Sequence, residues 1–337
     1  MKIVIEKNIP YIAGVLEKYA EVVYLPYQDI TKEMVKDADV LLVRTRTHCN
    51  AALLEGSRCQ FIGTATIGTD HIDFEYCNKA GITVKNAPGC NAPAVAQYVL
   101  SAIGHWMKKE YIFATEGLTL GVVGVGHVGS IVARWARELG FKVLLNDPPL
   151  QRATSSPDYV PLSKIIHDAD IVTFHTPLTK EGLDATYHLV DRQFILGLEN
   201  CKLLINSSRG EVVDNAALAE LKHISSLIDV VIDCWENEPE LNLDLLKMAY
   251  IATPHIAGYS AEGKMRATSM LLESIAEHFG WELDIPQVAA PLKGAQSVTL
   301  DTIMKSYNPF FDTEALKSSP KSFESLRNNY VLRQEVR

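Results

Sequence analysis

Cysteine is sparse and dispersed in this chain. The six residues Cys49, Cys59, Cys77, Cys90, Cys201 and Cys234 form no CxxC pair and have no His at zinc-ligand spacing. Such a pattern argues against a disulfide framework and a zinc site, and reads as reduced thiols, several of them packed inside. No apolar run reaches the roughly 20 residues that a bilayer span requires. Met1-Lys2-Ile3-Val4-Ile5 reads as a first strand rather than a secretory leader. Basic residues are outnumbered, 32 Lys and Arg against 41 Asp and Glu, for a formal net charge of −9. That balance excludes a general nucleic-acid surface, which needs clustered cations, but not a local basic pocket for an anionic metabolite. What remains is a soluble, cytoplasmic protein whose 337 residues suffice for two substantial cores.

Apolar runs alternate with amphipathic segments over most of the length, which implies βα units and parallel sheets. Strands are expected at Ile3–Ile5, Val22–Leu25, Val40–Val43, Phe61–Gly63 and Thr83–Val84, then at Leu120–Val123, Val143–Leu145, Ile171–Phe174, Leu203–Ile205, Val230–Ile232 and Ile251–Ala252. Asn91 is placed to cap a long helix with Pro93 in its first turn, carrying the chain from one block to the next. Around Gly258 the chain should leave the second block, and a helix through Met270, Leu271 and Ile275 returns it to the first. A crevice between two such blocks is a natural place for a small substrate.

Between strand and helix of the second block lies Gly124-Val125-Gly126-His127-Val128-Gly129. Here the backbone must turn sharply, admit a phosphate and pack a helix closely on the sheet, and side chains obstruct all three. The anion then rests on free N–H groups at the positive end of a helix dipole. The next strand ends at Asp147, eighteen residues beyond Gly129, where a carboxylate accepts ribose hydroxyls and repels a 2′-phosphate. A dinucleotide is therefore expected at Gly124, Gly126, His127, Val128, Gly129 and Asp147, and NAD rather than NADP.

Three later segments lie at strand ends, where ligands of such sheets bind: Ile205–Gly210, Asp233–Pro239 and Thr253–Tyr259. Oxidising an alcohol by hydride transfer needs a base, a group that orients it and a cation for the substrate carboxylate. His255 suits the base because imidazole titrates near neutrality. Glu238, facing it, fixes the tautomer and stabilises the imidazolium, and Arg209 grips a carboxylate bidentately. In the first block, Arg44 and Arg46 flank Thr45 after one strand, and Thr64 and Thr66 end another. Cations and hydroxyls at strand ends suit a phosphate.

These residues, with Gly63–His71, Ala87–Ala92, Asn146–Pro149, Glu236–Asn242 and Pro254–Tyr259, resemble the D-2-hydroxyacid dehydrogenase family over about residues 1–285. The resemblance implies an α/β fold with two doubly wound parallel-sheet domains, a flavodoxin-like substrate domain (1–92 and 259–285) and a Rossmann NAD domain (93–258). It makes His255 the proton acceptor, completed by Arg209 and Glu238. It adds Thr176, Ser207, Ser208, Asp233 and Gly258 to the NAD-lining residues, and Thr45, Thr66 and Tyr259 to the substrate contacts beside Arg44 and Arg46. The implied reaction is NAD-dependent oxidation of a small anionic, phosphorylated 2-hydroxy acid at its C2 hydroxyl. Thr45 stands where Ser is expected, and still offers a hydroxyl. The rival readings are a relative acting on another 2-hydroxy acid, such as 3-phosphoglycerate, and a non-catalytic NADH-sensing protein.

Residues 286–337 lack βα alternation and are too few for an independent core. They are expected to form a short dimerisation arm of a homodimer, because Ile303, Tyr307, Phe310, Phe311, Phe323, Leu326 and Tyr330 need burial; a partly disordered tail is the alternative. Asp70-His71-Ile72-Asp73 reads as a helix cap from Asp70 or Asp73 rather than a metal site. His175 reads as structural, and Cys90 as packing or turn chemistry. No metal, nucleic acid or membrane partner is expected.

Overall fold

A computed structural model of the protein describes residues 1–224, 228–288 and 298–336. It divides into two compact units, Met1–Asn91 with Ser260–Pro291 and Ala92–Tyr259 with Leu292–Arg337. The chain thus crosses at Asn91/Ala92 and at Tyr259/Ser260, and Tyr259, expected in the substrate domain, falls in the second unit. No described helix is long and apolar enough to cross a membrane. All six cysteines are buried as free thiols.

The first unit carries β1 (Lys2–Glu6), β2 (Glu21–Leu25), β3 (Val40–Val43), β4 (Phe61–Thr64) and β5 (Thr83–Lys85), all parallel, in the order β2-β1-β3-β4-β5. This is the flavodoxin-like order. Side chains alternate across the sheet, so Ile3, Ile5, Val40 and Leu42 enter one core and Val4, Leu41 and Val43 the other. Both faces are covered, which is why the strands read as unbroken apolar runs. Helix Ala261–Phe279, capped by the Ser260 hydroxyl, lays Ala267, Leu271 and Ile275 on the first of these cores. Val43 pairs with Thr64, so β3 and β4 hand on their next residues at the same sheet edge. Asp73 caps helix Phe74–Lys79 by accepting from the Tyr76 N–H at 2.9 Å.

The second unit carries β6 (Thr119–Val123), β7 (Lys142–Asn146), β8 (Ile171–Phe174), β9 (Leu203–Asn206), β10 (Asp229–Ile232) and β11 (Ile251–Ala252), parallel, in the order β11-β10-β9-β8-β6-β7. Tyr159 adds one parallel bridge outside β7 at Leu145, where a doubly wound nucleotide fold has a full third strand. The order reverses between β6 and β8, and the glycine turn leaves β6 at that point. Helix Ala92–Lys109 packs Val99, Ile103 and Trp106 against one face of this sheet. The expected Asn91 cap is a correction: its Oδ1 is buried with no hydrogen-bond partner. Pro93, at the second helical position, removes one of the N–H groups that a cap accepts.

The C-terminal segment packs on its own chain. Residues 289–297 of the expected arm lie outside the described residues. Beyond them, helices Leu300–Ser306, Phe310–Ser318 and Phe323–Asn328 pack on the second unit. Ile303 and Tyr307 join the core shared with Ala92–Lys109, while Leu316 and Phe323 join the core on the other face of the sheet. These side chains find burial within the chain because amphipathic helices of this length cover exposed sheet edges and helix faces. Phe311 stays 74 % exposed.

Candidate active site

Three loops at the carboxyl ends of β9, β10 and β11 build the catalytic part of the second unit. After β9, buried Asn206 shapes the first turn. Its Nδ2 donates to the Arg209 carbonyl at 2.9 Å, and its Oδ1 accepts from the Ser208 N–H at 3.1 Å and hydroxyl at 2.9 Å. Gly210 then lies so close to the Trp235 carbonyl that any Cβ would overlap it. Arg209 is thereby carried against the loop after β10, and its side chain donates to the Ser208 carbonyl at 2.9 Å.

The loop after β11 is organised by one buried carboxylate, Asp233. Its Oδ1 accepts from the Thr253 hydroxyl at 2.6 Å and the Ile256 N–H at 2.8 Å, and its Oδ2 from the Ala257 N–H at 3.0 Å. Tyr98 extends the network to the Thr253 hydroxyl at 2.7 Å. Burial pushes the Asp233 carboxyl upward, while His255, Thr253 and the two N–H groups pull it back. The loop so fixed holds His255 at φ +56°, a left-handed conformation uncommon outside glycine. Such an outlier persists only where its surroundings enforce it.

His255 Nδ1 lies 2.9 Å from Glu238 Oε2 and 3.1 Å from Oε1. The Trp235 N–H donates to Glu238 Oε1 at 2.9 Å. Burial alone would raise the Glu238 carboxyl; the His255 ring and its hydrogen bond, the Trp235 N–H and Arg327 outweigh it and hold the group below the usual carboxylate range. An ionised Glu238 requires the proton of a neutral imidazole on Nδ1, leaving Nε2 as the basic nitrogen. Burial, followed by Asp233 and Glu238, pushes the neighbouring Cys234 thiol well up.

The cofactor half fits a dinucleotide. Gly124 has φ +84°, and a Cβ there would lie 2.7–2.8 Å from the backbone of His175 and Thr176. Gly126 faces open space, and Gly129 packs on the Gly124 carbonyl. His127 is exposed and opens the helix, whereas Val128 packs against the core beneath it. Asp147 Oδ2 accepts from the Val125 N–H at 2.8 Å, and Oδ1 from the Leu150 N–H at 3.0 Å, so it braces the glycine turn while capping the next helix. Thr176 Oγ1 and Ser207 Oγ are buried without hydrogen-bond partners, hydroxyls that a bound dinucleotide would satisfy. These residues would hold the dinucleotide, with the pyrophosphate on the glycine turn and the ribose at Asp147. Ser208 turns inward to Asn206 instead. Gly258 follows the Asp233-bound turn, half-buried. Burial pushes the His175 ring down to about 3, and it bonds Thr173 at 3.1 Å as a structural side chain.

The expected substrate residues divide between the units. In the first, Thr45 is exposed between half-buried Arg44 and Arg46. The Arg44 N–H donates to buried Glu6 at 2.8 Å. Thr66 bonds the Thr64 hydroxyl at 2.6 Å and donates to the Gly68 carbonyl at 3.0 Å. In the second, the Tyr259 hydroxyl accepts from Arg327 Nε at 3.3 Å. Arg327 escaped the sequence reading because no motif surrounds it; the only signal was the Phe323/Leu326 spacing that seats its helix.

A doubly wound nucleotide sheet with an oriented His–Glu pair defines a class: an NAD-dependent dehydrogenase. A family model described as D-isomer specific 2-hydroxyacid dehydrogenase, NAD binding domain, matches residues 93–257. Erythronate-4-phosphate dehydrogenase of Bacteroides thetaiotaomicron is 49% identical over 340 residues, covering 99% of this chain and 97% of the relative. The enzyme of the same name from Escherichia coli O127:H6 is 38% identical, covering 99% and 92%. Among solved structures, NAD-bound 3-phosphoglycerate dehydrogenase of Entamoeba histolytica matches with TM-score 0.68 at 24% identity, covering 87% of this chain and 99% of that one. The chain belongs to the D-isomer specific 2-hydroxyacid dehydrogenase family.

Proposed function

We propose that the protein oxidises 4-phospho-D-erythronate with NAD to (R)-3-hydroxy-2-oxo-4-phosphooxybutanoate, a step toward pyridoxal phosphate. The similarity to the enzymes of that name supports the substrate, and the Glu238–His255 pair, 2.9 Å apart, carries the chemistry. His255 Nε2 takes the C2 hydroxyl proton. Glu238 keeps the Nδ1–H in place and offsets the imidazolium charge that forms. Arg209 pairs with the substrate carboxylate and polarises the reacting oxygen. NAD, when bound, supplies the hydride acceptor. Thr176 and Ser207 donate their unpartnered hydroxyls toward it, and Asp147 selects the unphosphorylated ribose. Arg44 and Arg46, with the Thr45 and Thr66 hydroxyls, are the cations and donors for the substrate phosphate, and Tyr259 lines the same substrate.

The reading includes a cytoplasmic homodimer, for which Phe311 and Val331, 74 % and 88 % exposed, offer apolar surface on the C-terminal segment. Light scattering on the purified protein tests the dimer. The substrate is tested by NADH formation with 4-phosphoerythronate and with 3-phosphoglycerate, adding an oxo-acid acceptor in a parallel product assay. Strong preference for the erythronate compound is expected. Preference for 3-phosphoglycerate would transfer the same dyad to a different acid, and NADH binding without turnover would favour the sensing role.

A further inference from the structure

The catalytic loop is gripped by a part of the chain that lies far beyond it in sequence. Helix Phe323–Asn328 is seated by Phe323, fully buried, and by Leu326 against the core that contains Trp235. This seating directs Arg327 toward the dyad: its Nη1 stands 3.8 Å from Glu238 Oε2, and its Nε donates to the Tyr259 hydroxyl at 3.3 Å. The Arg327 and Glu238 side chains are each only 17% exposed. Six residues on, buried Arg333 donates to the carbonyls of Ile256 (3.0 Å), Ala257 and Ala94 (3.1 Å) and lies over the Tyr307 ring at 4.4 Å. Tyr330 packs edge-on to Tyr259. The segment therefore clasps residues 256–259 from one side and reaches Glu238 from the other.

A buried carboxylate is costly unless a charge or hydrogen bonds compensate it. In the oxidising direction His255 starts each turnover neutral, and its ring gives Glu238 a hydrogen bond but no counter-charge. A guanidinium at 3.8 Å supplies one throughout the cycle. It also opposes protonation of the imidazole beyond. We propose that Arg327 is a positioning residue for proton transfer, holding Glu238 as an anion aimed at His255 Nδ1 and tuning how readily the ring accepts a proton. Its action runs through Glu238 and Tyr259, and the C-terminal segment is thereby part of the active site.

The inference rests on the dehydrogenase reading for its purpose, but its test needs no substrate. The charged and titratable groups facing the dyad are Asp233 and Cys234 after β10, Arg209 after β9, Tyr259 beyond His255, and Arg327. The full-length protein, labelled at histidine, is titrated by NMR, with the His255 resonance assigned from the His255→Asn variant. Arg327→Gln is expected to raise the His255 midpoint, because the cation 3.8 Å from Glu238 is lost. Arg327→Lys is expected to stay close to wild type. Arg327→Met, which keeps the apolar stem, replaces the Gln variant if that one does not fold. In turnover, the acid limb of kcat/KM for oxidation should move up with the same midpoint, while NADH affinity stays within about twofold. A midpoint in the Gln or Met variant equal to wild type overturns the proposal and leaves Arg327 a structural contact, even if kcat falls. Absence of turnover with 4-phosphoerythronate in wild type counts against the substrate alone.

Discussion

Two alanine substitutions in the glycine turn should separate cofactor binding from helix packing. At Gly126, φ is −71° and a Cβ meets nothing within 4 Å. The protein itself should therefore tolerate Gly126→Ala, with stability within about 1 kcal/mol of wild type. The same methyl occupies the space over the turn where the pyrophosphate is to approach the backbone. Losing one hydrogen bond to a charged group costs about 1.5–3 kcal/mol, so NADH should bind roughly 10- to 100-fold more weakly. At Gly129 the outcome reverses. A Cβ there overlaps the Gly124 carbonyl oxygen and sits 3.0 Å from its carbon and 3.2 Å from Val122 Cγ1. Helix His127–Glu138 must shift away from β6, an overpacking that costs about 1–3 kcal/mol. At about 2–4 °C per kcal/mol, Tm should fall roughly 3–10 °C. The assays are a fluorescence titration with NADH and a thermal melt on each variant. Wild-type NADH affinity in Gly126→Ala would refute the placement of the pyrophosphate, and an unchanged Tm in Gly129→Ala would refute the packing argument.

Other consequences are as direct. His255→Asn should lower kcat by about 10²–10⁴ with NADH affinity retained, and near-normal turnover would remove His255 from proton transfer. Asp147→Ala should relax discrimination between NAD and NADP and, by removing a helix cap, cost about 1 kcal/mol; steady-state kinetics with both cofactors and a melt read the two effects separately. Buried His71, whose Nε2 lies 3.2 Å from the Thr64 hydroxyl, is pushed down to about 4 by its burial. Between pH 6.5 and 4 the unfolded chain binds this proton and the folded one does not. Stability should therefore be lost as the pH is lowered through that window, by about 1.4 kcal/mol per unit. His71→Gln should flatten the acid-side slope of Tm against pH, and an unchanged slope would contradict the buried, neutral state.

The strands were legible because both faces of each sheet are covered, which leaves short apolar runs bounded by turns at every β element. The dyad was legible too: a His after Pro254 and an acid before Pro239, each just beyond a strand, carry their chemistry in residue type and place. Arg327 was not, since its role depends on which core receives Phe323, a long-range packing choice that six residues of local pattern do not encode. Asn91 shows the opposite failure. Its type and position suit a cap, but Pro93, two residues on, withdraws a donor, and its oxygen is left unpartnered. Of the C-terminal aromatics expected to need burial, Tyr307 and Phe323 find it within the chain while Phe311 stays exposed; burial can be met in cis or in trans, and composition does not distinguish them.

The clasp by Arg333 has a consequence for the order in which the protein matures. Tyr98, Asp233, Thr253, His255, Arg327 and Arg333 are drawn from positions more than two hundred residues apart, yet they meet around one short loop. Contacts of such separation form late, because loop closure must precede any reward. On the ribosome, the glycine turn and its helix can fold while the loop bearing His255 still lacks its clasp. Nascent chains halted after residue 288 but before Arg327 should therefore gain an NADH-binding surface ahead of a competent proton acceptor. Dinucleotide capture and chemical activity would then be acquired as two separate events in the life of each molecule.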